Sequence, residues 1–180
     1  MKGQWKTARQ ALLDAFSELA LSRRYQDLGV GLIAQRASVA RSTFYYHFKT
    51  KDELLLHNLR PMMSALGGLA GACEPTGDAE YWVAHIWEHR VRARQMFEGS
   101  TGRKIAQTLA VELQSCLRTV LDHPPGAARV TLLADQIAGS MTGLLRGWIA
   151  GPAAATPSRI TGMLWSGARA LVSADAAAPH

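Results

Sequence analysis

The sequence holds 180 residues, 48% of them apolar, with a formal net charge of +6. That length suits a single domain or a small domain fused to a larger one, with enough apolar residues to bury a core. The N-terminus lacks the apolar centre of a signal peptide, no apolar run is long enough to cross a membrane, and Cys73 and Cys116 form no paired motif, so a cytoplasmic chain with reduced thiols is expected.

No stretch alternates apolar and polar residues as a strand would. Runs rich in Ala, Leu, Gln, Glu and Arg predict an all-α protein. Between Thr7 and Leu21, Ala8, Ala11, Leu12, Ala15, Phe16, Leu19 and Ala20 recur at helical spacing and define an amphipathic helix. Arg23 and Arg24 follow at its C-terminal end, where the helix dipole favours cations. A short helix then turns Ile33, Ala34 and Ala37 inward. A break near Ser38-Val39 leads to a second short helix, Arg41 to His47. Thr50 is placed to cap a helix beginning at Lys51, with Glu53 three residues on, as in a capping box. That helix carries Leu54, Leu55, Leu59, Met62 and Met63 and ends near the glycines at 67, 68 and 71.

Glu74 to Asp78 reads as a linker, with Asp78 as the cap of the next helix, which bears Tyr81, Trp82, His85, Ile86 and His89. Further helices are expected over 92–97 and 102–121, and His123-Pro124-Pro125-Gly126 is a firm stop. A long helix covers 127–150 and breaks at Gly151-Pro152. The last helix begins at Thr156-Pro157, with proline in the first turn where it is tolerated, and ends near Val172. Residues 175–180 read as a frayed tail.

The charge is unevenly spread. Met1 to Arg60 holds ten Lys and Arg against five Asp and Glu, a balance of +5, which leaves +1 for the remainder. A basic excess confined to the part with three short helices and a longer one points to a helix-turn-helix and a polyanionic partner.

The stretch Leu28-Gly-Val-Gly-Leu-Ile-Ala-Gln-Arg-Ala-Ser-Val-Ala-Arg-Ser-Thr-Phe-Tyr-Tyr-His-Phe-Lys-Thr-Lys-Asp-Glu-Leu-Leu55 resembles the TetR family of transcriptional regulators. Ser42-Thr-Phe-Tyr-Tyr-His-Phe48, followed by Lys51-Asp-Glu-Leu54, is the most specific part. The resemblance implies a DNA-binding domain over 6–66, with the helix-turn-helix at about 29–48. A connecting helix joins it to a helical effector-binding and dimerisation domain over 67–174. In the major groove the first residues of the recognition helix meet base edges. Arg41 can bond guanine bidentately, Ser42 lies beside it, and Thr43 can reach a base methyl group or a phosphate. The resemblance makes Tyr45 and His47 phosphate contacts and adds Lys51 at the start of the next helix; Tyr46 fits either a contact or packing, and Phe44 and Phe48 read as core. The chain departs from the family pattern at Gly29 and Ala40, where capping side chains are usual, at Gly31, where a polar residue is usual, and at Ser38, where the turn has glycine. Ser38 is therefore expected in a left-handed conformation.

The C-terminal part resembles the family's regulatory domains more loosely, through the phrase from His85 to Phe97, a Gly-Ser-Thr-Gly turn at 99–102, and a final helix pair. That resemblance implies a homodimer on a palindromic double-stranded DNA operator, formed by the last two helices. The sequence offers a physical reason: Gly139, Gly143, Gly147 and Gly151 recur every four residues, Leu144 lies beside them, and Gly162, Ser166 and Ala170 form a similar stripe. A helix glycine costs about 1 kcal/mol against alanine, so several on one face call for a packing reason. Within one subunit or between two, that packing would bring helices close. Trp82, Ile86, Met96, Leu113, Cys116, Leu117, Gln136, Met141 and Trp148 are candidate linings of an effector pocket, suited to an apolar or aromatic small molecule; ordinary core packing is the plainer role for each. Binding there would change the spacing of the two DNA-binding heads and release a repressor from its operator.

Two other functions fit parts of the sequence. His85-Ile-Trp-Glu-His89 has the H-x-x-E-H spacing of a class of zinc peptidases, and two histidines four apart on a helix can bind zinc. No third ligand follows, so no catalytic residue, metal ligand or cofactor is assigned, and a non-enzyme is expected. A helical adaptor that dimerises without binding DNA is the other alternative.

Overall fold

The computed structural model describes residues 7–121, 126–151 and 155–177, and all regular secondary structure among them is helical. The expected all-α class holds. None of the described helices is long and apolar enough to cross a membrane. The chain divides into two compact units, Met1–Arg60 and Pro61–His180.

The first unit opens with α1, Ala8–Ser22, which starts where the Thr7 hydroxyl accepts from the Gln10 N–H at 3.3 Å. Its apolar stripe buries Leu12, Ala15, Phe16 and Leu19. A single 3-10 turn, Tyr25–Asp27, leads to α2, Val30–Arg36, and then α3, Arg41–His47. The α1 helix packs on both α2 and α3. Leu12, Leu28, Ile33 and Phe44 are fully buried between them; removing such side chains from water contributes about 1.5–3 kcal/mol each. Polar ties add to this packing. The Asn58 amide donates to the Ser17 hydroxyl at 2.7 Å, and Arg36 pairs with Glu18 across the surface.

Helix α4, Lys51–Gly68, begins in the first unit and ends in the second. Its start is capped as the sequence suggests: the Glu53 N–H donates to the Thr50 hydroxyl at 3.1 Å. The reciprocal arm reaches one residue further back, with the Lys49 N–H donating to the Glu53 carboxylate at 2.7 Å. Pro61 lies inside this helix, where proline removes one backbone hydrogen bond.

The second unit contains α5 (Gly77–Glu88), α6 (Arg90–Met96), α7 (Gly99–Val120), α8 (Ala127–Ala150) and α9 (Pro157–Ala177). Helix α8 is its hub and packs on α6, α7 and α9, while α5 packs on α9. Leu109, Leu113 and Leu117 from α7, Ile137, Met141 and Leu145 from α8, and Ile160 and Leu164 from α9 form the core. The Trp148 indole N–H donates to the Ala155 carbonyl at 3.1 Å and stacks on Trp87 with ring centres 4.5 Å apart.

Several local expectations are corrected. Thr76, not Asp78, caps α5, its hydroxyl accepting from the Ala79 N–H at 3.3 Å; Asp78 lies in the first turn, where its charge suits the dipole. Residues 99–102 are the first turn of α7 rather than a turn before it. Gly99 enters that helix at φ 59°, and Gly102 is needed because a Cβ there would overlap the Phe97 carbonyl oxygen and lie 2.5 Å from its carbon. The last helix runs past Val172 to Ala177 because Arg129 holds its end: the guanidinium donates to the Asp175 carboxylate at 2.9 Å and to the Asp175 backbone carbonyl. Of the predicted stops, residues 123–125 and Pro152 lie outside the described residues, as do the basic residues Lys2 and Lys6 and positions 178–180 of the tail.

Candidate nucleic-acid interface

The helix-turn-helix is built from the inside out. Phe44 and Phe48 are fully buried, with ring centres 6.0 Å apart, and fix the rotation of α3. That rotation turns Arg41, Ser42, Tyr45 and Tyr46 outward. Tyr45 is 58% exposed and Tyr46 85%, which removes Tyr46 from the core. Thr43 and His47 are half-buried on the flanks of the same face, and the Tyr46 and His47 rings meet edge-to-face at 5.0 Å.

The turn between α2 and α3 is a complete Schellman motif. The Ser38 N–H donates to the Gln35 carbonyl at 3.1 Å, and the Val39 N–H to the Ala34 carbonyl at 3.0 Å. The motif requires a left-handed residue at 38, and Ser38 takes it at φ 55°, the positive value among the described non-glycine residues. Such a conformation costs an L-residue about 1–2 kcal/mol. The N-caps of α2 and α3, Gly29 and Ala40, make no side-chain capping bond, as their side chains dictate.

Gly31 has a role the sequence did not reveal. A Cβ at that position would overlap the Arg41 guanidinium, with Nε and Cζ at 2.9 Å. The bare backbone of α2 therefore leaves room for the Arg41 side chain to lie across it. Lys51 has a partner the sequence did not reveal. Its ammonium donates to the Tyr25 carbonyl at 2.9 Å and lies 4.4 Å from the centre of the Tyr25 ring. These contacts hold the 3-10 turn against α4. The Tyr25 hydroxyl completes that anchor by donating to Asp52. Burial, reinforced by the adjacent carboxylate, raises the Tyr25 hydroxyl well above the usual tyrosine range, so it stays a donor. Tyr25 and Asp52 carried no signal in the sequence beyond Asp52 lying in a helix's first turn.

In the second unit, Ile86, Leu113, Leu117, Met141 and Trp148 are buried, while Trp82, Met96 and Cys116 are half-buried. Burial raises the Cys116 thiol above its ordinary range. Gln136 is exposed on α8, on the side away from the core. The glycines that intramolecular packing demands are others: a Cβ at Gly67 would meet Glu112 Cβ at 3.2 Å, and one at Gly71 would meet Val120 Cγ2 at 2.6 Å. At Gly139, Gly143, Gly147 and Gly162 a Cβ would meet nothing within 4 Å. Packing inside the described part of one subunit thus gives these four no reason to be glycine. Gly139, Gly147, Ser166 and Ala170 are exposed, Gly143, Leu144 and Gly162 are half-buried, and Leu132 (70% exposed) and Met163 (42%) add apolar surface to the same two helices.

The histidine pair of α5 is brought together with its glutamate. His85 and His89 have ring centres 4.6 Å apart, and ligand atoms of His85, Glu88 and His89 all lie within 4.8 Å of one another. Burial, with the neighbouring His89, lowers the His85 pKa and keeps that ring neutral near pH 7.

Residues 12–57 match the profile of the bacterial regulatory proteins of the tetR family. No curated protein matches the sequence. Among solved structures, a TetR transcriptional regulator from Rhodococcus sp. RHA1 is 16% identical, with a TM-score of 0.58 over 96% of this chain and 98% of that one. The TetR family repressor AlkX from Dietzia sp. strain DQ12-45-1b, implicated in biodegradation of n-alkanes, is 17% identical, with a TM-score of 0.60 over 96% and 98%. FadR from Thermus thermophilus, a TetR-family repressor in complex with lauroyl-CoA, is 18% identical, with a TM-score of 0.51 over 96% and 96%. The fold is similar to that of these solved TetR-family regulators. The N-terminal match covers residues 12–57 of the 180 and points to a TetR-type DNA-binding segment at the helix-turn-helix.

Proposed function

We propose that the chain acts as a homodimeric repressor that reads a palindromic operator with α3 and releases it on binding a small apolar or aromatic molecule. The reading rests on the exposed edge of α3. Arg41, Ser42, Tyr45 and Tyr46 face solvent on a helix whose buried side carries Phe44. Arg41 to Thr43 read bases, while Tyr45 and His47 hold phosphates. Lys51 contributes mainly through the backbone it fixes, because its ammonium is engaged at Tyr25.

Dimerisation is supported by the open glycine stripe of α8 and the exposed Ser166 and Ala170 of α9. Two copies joined there would present their recognition helices to successive major grooves, about 34 Å apart. Buried and half-buried residues from Trp82 to Trp148 would receive the effector, with Gln136 left on the outer face. Ligand binding would favour the head spacing that misses the second groove.

Selection of bound fragments from the source genome tests this reading. A palindromic site should emerge. Arg41→Ala should weaken binding to it by about 1–3 kcal/mol and relax the preference at one base position. Tyr45→Phe should weaken specific and non-specific DNA alike, because phosphate contacts carry no sequence information. Absence of any sequence preference at moderate salt would sink the proposal.

A further inference from the structure

The α5–α6 junction carries a cluster that DNA binding does not use. His85 and Glu88 lie on α5, and His89 ends α5 and immediately precedes α6, its N–H donating to the His85 carbonyl at 3.2 Å. Spacings of three and four residues stack the side chains on one helical face. Among the described residues no hydrogen bond or ion pair takes up these three side chains. The neighbouring cation is turned away: Arg90 donates to the Trp87 carbonyl at 3.3 Å and lies over the Trp87 ring at 4.7 Å. His85 is backed by Tyr81, with the rings near parallel and their centres 6.4 Å apart, which limits its swing.

We propose that His85, Glu88 and His89 form a binding site for a divalent transition-metal ion of the zinc class. Two imidazoles and one carboxylate are the donor set such ions take. Tetrahedral zinc with bonds of about 2.0–2.2 Å needs ligand atoms roughly 3.4 Å apart. Atoms already within 4.8 Å reach that spacing by side-chain rotation alone. Three protein ligands leave a fourth position for water or a small anion. The ion would join the last turn of α5 to the residue that starts α6. Because α5 packs on α9 and α6 packs on α8, it would brace the two helices at their ends.

The test uses the full-length, untagged chain, stripped with chelator and titrated with zinc by calorimetry and with cobalt by visible absorption. One equivalent should bind, and cobalt should give the intense visible bands of a four-coordinate site. His85→Ala and His89→Ala should each weaken binding by at least about a hundredfold, beyond the range seen when only an outer-shell partner is lost. Glu88→Gln, at an exposed position, should weaken it with unchanged helicity and carries the test should a histidine variant misfold. Failure of the unaltered chain to bind one equivalent overturns the proposal. So does binding that survives the folded His85→Ala/His89→Ala pair, or that disappears with Cys73→Ser instead.

Discussion

The α8 stripe allows a prediction whose sign separates two arrangements. Consider Gly139→Ala combined with Gly143→Ala. In the single chain neither new Cβ meets an atom within 4 Å. Each substitution should then stabilise the helix by about 1 kcal/mol, since glycine loses more backbone freedom than alanine. The pair should add about 2 kcal/mol to an isolated subunit, or about 4–8 °C in melting temperature for a chain of this size. If α8 meets α8 or α9 of a second copy along this stripe, the methyls enter a close contact, and a two-fold interface receives each of them twice. Overpacking costs about 1–3 kcal/mol per site. A loss of only 2 kcal/mol in association raises Kd by about thirtyfold. Sedimentation over a dilution series measures the Kd, and circular dichroism at concentrations below it measures the subunit. The expected outcome is a weaker dimer of more stable subunits. A variant that dimerises as tightly as the parent while melting higher would refute the reasoning and leave the glycines facing water.

Two further substitutions test the backbone arguments. Gly102→Ala drives a methyl into the Phe97 carbonyl, so it should cost about 1–3 kcal/mol and lower the melting temperature by about 2–12 °C; an unchanged melt would mean that the entry to α7 yields without cost. Ser38→Gly relieves the left-handed serine of the Schellman turn and should raise stability by about 0.5–1 kcal/mol after glycine's own entropy is subtracted. Urea unfolding with an unchanged m-value reads that gain directly, and a loss would contradict it.

What the sequence made legible depended on how local the cause was. The bounds of α3 and α8 follow from side-chain periodicity and from Gly126 and Gly151 at the ends of α8, and both were readable. So was Ser38, because the resembled turn has glycine there and the conformation is set within a few residues. The end of α9 was not readable. It is held by Arg129, 46 residues away in the chain, and an Ala-rich segment gives no sign of such a partner. Lys51 shows the same limit at the interface. Its position fitted a phosphate contact, yet the fold brings the Tyr25 and Gln26 carbonyls to its ammonium. The capping of α5 was misplaced for a different reason. Thr76 and Asp78 are both competent caps within three residues of each other, and local chemistry alone does not rank them.

The bare surface at Gly31 turns Arg41 into a side chain with two berths. One lies across α2 of its own protein; the other, on the proposed reading, is on DNA. Leaving the first carries a cost wherever Arg41 engages DNA, so it subtracts from the affinity that contact supplies. A side chain introduced at position 31 would close the first berth and hold the guanidinium outward. On the proposed reading, such a variant would grip more readily the sites that Arg41 engages.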